Sequence, residues 1–242
     1  MTGRARRAAD PLERRIEAAL DPRRFVSDRA CSSFVGDLDD VEAEIAQLIP
    51  SEPARAIALY EAFIAGCYEK ANEVDDSSGS FGMFVTSLFC GWIRARQAVR
   101  ADPDETASRL LARMDDDPFG FCYELEKDVA RVLDKTGLAA LVKRLRARFD
   151  AAAATTAAEE SAPRNPDWAH RRLGAALRTL YLAQGDFEAY VELAEETGLT
   201  AQDCRAVATM LVQRRKPEQA LSWVERGLDL DAKAVHGGDG GL

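Results

Sequence analysis

The stretch Phe81–Ala95, FGMFVTSLFCGWIRA, decides the fold class because its apolar side chains recur at helical spacing. The large ones follow the i, i+3, i+4 pattern of one helix face, and they are Phe81, Phe84, Val85, Leu88, Phe89 and Trp92. Ser87, Cys90 and Gly91 put small side chains on a neighbouring face, where another helix can approach closely. The stretch predicts a helix over 79–99 that lies at the centre of its layer with its aromatic side chains in the core.

Proline after an acidic or amide residue marks a helix start at four places. Asp and Asn accept hydrogen bonds at the N-cap. Proline suits the first helical position because the backbone N–H that it lacks would have no partner within the helix there. The pairs are Asp10-Pro11, Asp102-Pro103, Asp117-Pro118 and Asn165-Pro166. Alternating β-branched and polar runs with hairpin turns are missing, so the sequence predicts an all-α protein.

Apolar periodicity predicts the individual helices. Their expected ranges are 11–20, 38–49, 52–74, 79–99, 103–114, 118–134, 137–152, 166–184, 186–197, 201–214 and 217–230. We expect Ser77 or Ser78, in the loop before the helix at 79–99, to cap that helix.

Composition divides this helical chain into two lobes. Residues 151–165 lose apolar periodicity and carry small residues and Pro163, which is typical of a linker. We therefore predict an N-terminal lobe over 1–150, which begins with a flexible basic arm at 1–9, and a C-terminal lobe of helical hairpins over 166–231. Residues 232–242 are predicted to be a flexible tail because they are rich in glycine. The expected architecture is a two-lobed helical bundle or α-solenoid of antiparallel helix pairs.

The last predicted hairpin, Thr200–Asp231, resembles a tetratricopeptide repeat. The matching positions are Ala208, Ala220 and Gly227, where the repeat has small residues, and Leu211 and Val224, where it has large apolar ones. The preceding hairpin departs from the repeat, because Arg178 and Tyr190 stand at two of the small positions. The resemblance implies a tetratricopeptide-like C-terminus.

Net charge and cysteine usage limit the classes of function. The formal net charge of −9 repels phosphate backbones and anionic lipids, so we expect neither a nucleic-acid nor a membrane partner. The exception is an arginine cluster at the N-terminus, formed by Arg4, Arg6, Arg7, Arg14 and Arg15. No apolar segment follows these arginines, and the five cysteines are scattered without a CxxC pair, so we predict a cytoplasmic protein.

The polar loop DDSSGS, Asp75–Ser80, is the first candidate for a ligand site because it holds more polar groups than a turn requires. Its candidate ligand-binding residues are Asp75, Asp76, Ser78 and Ser80. An EF-hand fails here because Val85 would stand where the closing Glu belongs, and a phosphate loop fails because no lysine follows. We predict no metal site and no cofactor.

Catalytic signatures are also missing from the sequence. No GxSxG or HExxH motif is present, and no motif places His170 or His236 beside a nucleophile. We expect His170 to be a partly exposed surface residue, and we predict no catalytic residues.

Two longer segments carry a family resemblance. EKANEVDDSSGSFG at 69–82, followed by RRLGAALRTLYLAQGDFEAYVELAEE at 171–196, resembles an uncharacterised all-helical bacterial family of unknown function. The resemblance implies an all-helical fold and relatives that are sometimes joined to zinc-binding SWIM modules. It implies no activity, and this chain lacks the Cys/His ligands of such a module.

From these patterns we predict a non-catalytic helical-repeat interaction or scaffold protein that binds a protein or peptide partner. An acidic surface favours a basic partner. The alternative is a small-ligand-binding protein or enzyme that uses a groove beside the Asp75–Ser80 loop. A further alternative is a nucleic-acid accessory that uses the N-terminal arginine arm.

Overall fold

The computed structural model describes residues 10–158 and 166–237, and the side chains of all of these except 155–158, 166–169 and 234–237. These ranges contain eleven α-helices, one short 3-10 helix (Ala71–Glu73) and no β-strand, which confirms the all-α prediction. The α-helices are α1 Pro11–Leu20, α2 Asp28–Leu48, α3 Pro53–Lys70, α4 Ser80–Ala98, α5 Pro103–Asp115, α6 Leu125–Val132, α7 Lys135–Ala158, α8 Pro166–Gln184, α9 Phe187–Glu196, α10 Ala201–Gln213 and α11 Pro217–Gly237.

Two of the predicted Asp-Pro caps start helices as expected. The Asp10 carboxylate accepts from the Leu12 N–H at 2.9 Å, and the Asp10 N–H donates to Glu13 at 3.2 Å, which completes a capping box on α1. Asp102 accepts from the Asp104 N–H at 3.0 Å at the start of α5. The predicted cap at Asn165 lies outside the described residues.

The predicted start of the second helix at residue 38 is wrong, because α2 already begins at Asp28. Cys31 and Phe34 are buried and extend the stripe that continues through Leu38 and Val41. The N-cap, Ser27, makes no side-chain cap hydrogen bond, so the usual signal of a helix start is weak here.

The predicted helix over 118–134 is also wrong in its first half, because only Leu125–Val132 is α-helical. The Asp117 carboxylate does accept backbone N–H groups, from Phe121 at 3.1 Å and Cys122 at 2.7 Å, but it closes a turn. Gly120 follows with φ +76°, a left-handed conformation that interrupts an α-helix. Residues 116–124 therefore form an irregular segment between α5 and α6.

The chain forms two compact units, Met1–Gly137 and Leu138–Leu242. In the first unit α4 contacts α2, α3 and α6, and its aromatic stripe is buried, so its predicted central position is confirmed. Gly91 is the point of closest approach to α3, because a Cβ there would lie 2.3 Å from Cζ of Tyr60.

In the second unit α8 contacts α9, α9 contacts α10, and α10 contacts α11. A buried polar network joins three of these helices around the Asp203 carboxylate. Asp203 accepts from Arg178 Nε at 2.8 Å, from the Tyr190 hydroxyl at 2.9 Å and from Thr200 Oγ1 at 2.7 Å. Arg178 and Tyr190, the residues that depart from the tetratricopeptide pattern, are therefore partners of one carboxylate.

The division between the units falls between residues 137 and 138, whereas the linker was predicted at 151–165. Helix α7 continues through Ala158, because alanine-rich sequence favours a helix even without an apolar stripe. Residues 159–165 of the predicted linker, the arm at 1–9 and residues 238–242 of the predicted tail lie outside the described residues.

No helix within 10–158 or 166–237 has the length and apolar character needed to cross a bilayer. The five cysteines are all buried free thiols.

Candidate functional site

The Asp75–Ser80 loop joins the 3-10 helix to α4 and is held at its start by a short parallel bridge between Val26 and Val74. The Val26 N–H donates to the Glu73 carbonyl at 2.9 Å, and the Asp75 N–H donates to the Val26 carbonyl at 2.8 Å. These two hydrogen bonds fix the loop against the segment that precedes α2.

Asp76 is the residue that caps α4. Its two carboxylate oxygens accept from the Phe81 N–H and the Gly82 N–H, both at 2.8 Å. The prediction that Ser77 or Ser78 caps this helix is therefore wrong. One carboxylate satisfies two N–H groups that have no helical partner, and its negative charge complements the helix dipole, which a serine hydroxyl does not.

The other polar side chains of the loop bond mainly to each other. Ser77 Oγ donates to Asp75 at 2.5 Å, and this hydrogen bond lowers the pKa of the Asp75 carboxyl. The Ser78 and Ser80 hydroxyls lie 3.0 Å apart. Of the four predicted ligand-binding residues, Asp76 lines the large groove described next, whereas Asp75, Ser78 and Ser80 are not among its lining residues.

A groove of about 870 Å³ runs along α4 of the first unit. One wall is α4, and the other is formed by the irregular segment 116–124 and the start of α6. Three exposed apolar side chains face this space from both walls, and their exposed fractions are 67% for Met83, 38% for Phe119 and 73% for Tyr123. We call it the α4 groove.

Small side chains on α4 make room for the groove. Gly82, Thr86, Ser87 and Cys90 all line it. Gly82 is close to its limit, because a Cβ there would lie 3.3 Å from a carboxylate oxygen of Asp76. The small residues that were predicted to receive another helix therefore divide: Gly91 receives Tyr60, while Ser87 and Cys90 open onto the groove.

Aromatic packing and a partly buried hydrogen bond hold the opposite wall in place. Phe121 makes edge-to-face contacts with Tyr68 and Phe81, at centroid distances of 5.1 and 5.6 Å. The Tyr68 hydroxyl donates to the Asp117 carboxylate at 3.0 Å. Phe119 packs against Phe121 with the ring centroids 5.7 Å apart, so these contacts also fix the position of Phe119 beside the groove.

The charged residues of the α4 groove are four carboxylates and two cations. The carboxylates belong to Glu42, Asp76, Glu124 and Asp128, and the cations to Arg94 and Lys127. Lys127 pairs with Glu124 at 2.5 Å, and this pairing raises the pKa of the Lys127 ammonium. Arg94 is exposed and forms no ion pair with the described residues. The groove therefore carries an excess of negative charge.

A smaller cleft of about 180 Å³ lies beside Trp92. The guanidinium groups of Arg96 and Arg109 lie 5.1 and 5.4 Å from the Trp92 ring centroid, and the indole N–H donates to Glu61 at 3.0 Å. Arg109 also pairs with Glu61 at 2.6 Å. Arg96 donates to Thr106 at 2.8 Å and pairs with Glu105 at 3.2 Å. The indole and both guanidinium groups therefore already have partners.

The remaining candidates contribute less. Among the side chains that the structure describes, no group of three His, Cys, Asp or Glu residues is placed to hold a metal. His170, expected on the surface, is half-buried and stacks on Phe149 with the ring centroids 4.0 Å apart. Of the arginine cluster, Arg15 pairs with Glu44, and Arg4, Arg6 and Arg7 lie outside the described residues, as does the side chain of His236.

Asp76 is the one predicted ligand-binding residue that lines the α4 groove, and the groove itself was not predicted. The signal was partly present, because Gly79, Met83, Thr86, Cys90 and Arg94 recur at intervals of three or four residues on one face of α4. The opposite wall could not be found in this way, since it depends on an irregular segment that was predicted to be helical.

Residues 2–237 match DUF6880, described as a family of unknown function. Comparison with curated proteins and with solved structures gives no significant match. The family match covers nearly the whole chain, so the chain belongs to this family.

Proposed function

We propose that this member of a family of unknown function is a non-catalytic interaction protein whose α4 groove binds a short segment of a partner protein. The observation that supports the proposal is the exposure of Met83 and Tyr123 on facing walls of one groove. Exposed apolar side chains are unremarkable singly, but a concave group of them is typical of an interaction site. Methionine and tyrosine suit such a site, because one is adaptable and the other offers a large contact area.

The expected partner segment carries an apolar anchor residue next to lysine or arginine. The anchor fits between Met83 and Tyr123. The neighbouring cations approach the groove carboxylates of Glu42, which accepts from the Tyr60 hydroxyl, and Asp128, which pairs with Arg131 at the surface. The overall net charge of −9 favours the same kind of partner by steering it toward the surface.

The architecture and location that we propose follow from the same line of argument. We propose a helical-repeat scaffold with a tetratricopeptide-like hairpin at α10 and α11, which is supported by the short turn between these helices and by buried Ala208 and Ala220. A cytoplasmic location is supported by the five buried free thiols, which are typical of a reducing compartment. The bacterial origin and the SWIM-linked relatives that the resemblance implied stay predictions.

A small-ligand-binding protein is the second candidate, because a groove of about 870 Å³ is within the size range of ligand sites. Asp76 is then the obvious polar contact, but both of its oxygens already accept backbone N–H groups. To bind or deprotonate a small ligand, Asp76 would have to give up the hydrogen bonds that cap α4. We therefore favour a peptide segment as the ligand of the groove. The nucleic-acid role of the arginine arm stays a prediction.

Selection from a library of random short peptides tests the proposal. We expect the enriched peptides to combine an apolar residue with lysine or arginine. We expect the double variant Met83→Ala/Tyr123→Ala to weaken their binding by about tenfold or more in fluorescence anisotropy, since each lost anchor is worth about 1 kcal/mol or more. The control is Phe25→Ala, which removes an apolar side chain with a similar exposed fraction, 60%, that does not line the groove.

The proposal fails if the selected peptides bind the double variant as tightly as the native chain, or if Phe25→Ala has the same effect. A small molecule that raises the melting temperature of the native chain, while no peptide binds, would favour the second candidate instead.

A further inference from the structure

The last helix of the second unit, α11, packs on α10 through one face with small side chains. Ala220 is buried, and a Cβ on Gly227 would lie 3.0 Å from the Cβ of Cys204. Trp223 borders this face and contacts Phe187 at a centroid distance of 6.5 Å. These contacts fix which side of α11 points away from its own unit.

A second apolar stripe lies on a solvent-exposed side of α11, about a quarter turn from the face that packs on α10. Leu221, Val224 and Leu228 follow at i, i+3 and i+7, and their exposed fractions are 59%, 43% and 64%. Val224 stands where the tetratricopeptide repeat has a large apolar residue, and in the structure this side chain is half-exposed. Three large aliphatic side chains in line on one helix face form a contiguous apolar strip rather than scattered surface residues.

An acidic edge borders this strip on one side. At 100° per residue, Glu218, Glu225 and Asp229 lie within an arc of about 40° next to the leucines. All three are exposed, and none forms an ion pair with the described residues. The nearby cation of the same helix, Arg226, pairs instead with Glu195 at 3.2 Å and lies over the Trp223 ring.

We propose that this exposed apolar strip and its acidic edge form a second docking surface, and that its occupant is an amphipathic α-helix of a partner whose apolar stripe is flanked by lysine or arginine. Residues at i, i+3 and i+7 form the ridge into which a second helix packs, and charges beside that seam select the partner. The surface lies in the second unit, whereas the α4 groove lies in the first, so this inference goes beyond the function proposed above.

Charge argues against a second copy of this chain as the occupant. In a twofold antiparallel pair of α11 helices, each acidic edge would face the same edge of the other copy. Glu218 and Glu225 would then meet carboxylates without any cation to offset them, and like charges across a helix seam disfavour association. A basic helix meets the same edge with attraction.

Two synthetic amphipathic peptides test this proposal against the full chain. They share one apolar stripe at helical spacing and differ only in their flanking residues, which are lysine in one and glutamate in the other. We expect the lysine peptide to bind at least about tenfold more tightly in fluorescence anisotropy at low salt, and the preference to shrink as salt is added.

Variants on exposed positions locate the binding. We expect Leu228→Asp to abolish binding of the lysine peptide, and the triple variant Glu218→Lys/Glu225→Lys/Asp229→Lys to reverse the preference between the peptides. Gln219→Lys is the control, because it adds a positive charge on the side of α11 opposite to the strip and should keep the preference. Far-UV circular dichroism confirms that each variant stays helical.

Three outcomes of the binding experiments would overturn the proposal. They are equal binding of the two peptides, no binding of either, or unchanged binding to Leu228→Asp. Self-association in sedimentation velocity that Leu228→Asp removes would assign the strip to a second copy and would overturn it as well. The variant Met83→Ala/Tyr123→Ala should leave the lysine peptide bound, so failure of the groove proposal and failure of this one can be told apart.

Discussion

Replacing Asp203 with alanine should lower the stability of the second unit more than the loss of any other helix cap in that unit. The change removes an acceptor from Arg178 and from the Tyr190 hydroxyl, and it removes the capping box with Thr200. Arg178 keeps a hydrogen bond to Thr197 at 2.6 Å, so its charge is not left without any partner.

The magnitude follows from these contacts. The buried Tyr190 hydroxyl, left without an acceptor, costs about 1–3 kcal/mol, and the lost cap costs about 1 kcal/mol. The Arg178 side chain is 21% exposed and keeps its bond to Thr197, so the loss of its charged partner adds only about 1 kcal/mol. We therefore expect Asp203→Ala to lower the free energy of unfolding of this unit by about 4 kcal/mol. Asp203→Asn, which keeps one acceptor oxygen, should cost about half as much.

Amide hydrogen exchange in α8–α10 at increasing urea concentration measures this loss, because it reports the second unit separately from the first. The matched control is Asp186→Ala, in which α9 loses a cap whose oxygen accepts from the Ala189 N–H at 3.1 Å, for a cost of about 1 kcal/mol. If Asp203→Ala costs no more than this control, the network does not stabilise the unit and the reasoning is wrong.

Acid should remove the same contribution. Burial alone would raise the pKa of the Asp203 carboxyl, but hydrogen bonds from Thr200 and Tyr190 and the charge of Arg178 outweigh it, so the pKa is lowered. Because the folded pKa lies below the unfolded one, near 4, the stabilisation is present above pH 4 and is lost as the pH falls through the folded value. The difference between the native chain and Asp203→Asn should therefore shrink in acid.

The remaining predictions concern the first unit and are read from urea unfolding or hydrogen exchange. Gly91→Ala should destabilise the first unit by about 1–3 kcal/mol, because the new methyl would lie 2.3 Å from Cζ of Tyr60. The control Gly36→Ala in α2, where a Cβ would have nothing within 4 Å, should stabilise the unit by up to about 1 kcal/mol. Similar effects of the two variants would contradict the close approach at Gly91. Asp76→Ala should speed amide exchange in the first turn of α4, because it removes a cap worth about 1–2 kcal/mol. Ser78→Ala should change the stability of the unit by less than about 0.5 kcal/mol. A larger effect of Ser78→Ala than of Asp76→Ala would identify the serine as the cap.

Helix positions were predictable wherever a local signal determined them. Asp10 and Asp102 each accept the N–H groups that their Asp-Pro sequences indicate, and the starts of α1 and α5 were correct. Asp117 has the same sequence signal, but its carboxylate accepts from the more distant N–H groups of Phe121 and Cys122, and Gly120 adopts a left-handed conformation three residues after it. A cap therefore indicates where N–H groups are satisfied, and the residues after it decide whether a helix continues.

The α4 groove was not predictable, for a different reason. Met83 and Tyr123 are forty positions apart, and no pattern along the chain indicates that they face each other. The buried network of the second unit was equally hidden, because Arg178 and Tyr190 are anomalies until the position of Asp203 is known. Both features depend on tertiary packing, which periodicity does not encode.

The five buried thiols let the rate of alkylation report on the accessibility of the sites that hold them. Burial raises the pKa of the Cys90 thiol to about 11 and raises those of Cys31 and Cys204 as well, so little reactive thiolate forms at neutral pH. Alkylation of Cys31 and Cys204 must wait for the surrounding helices to separate, and its rate then measures how often they do. Cys90 lines the α4 groove, so a bound segment would slow its alkylation and leave the rate at Cys204 unchanged.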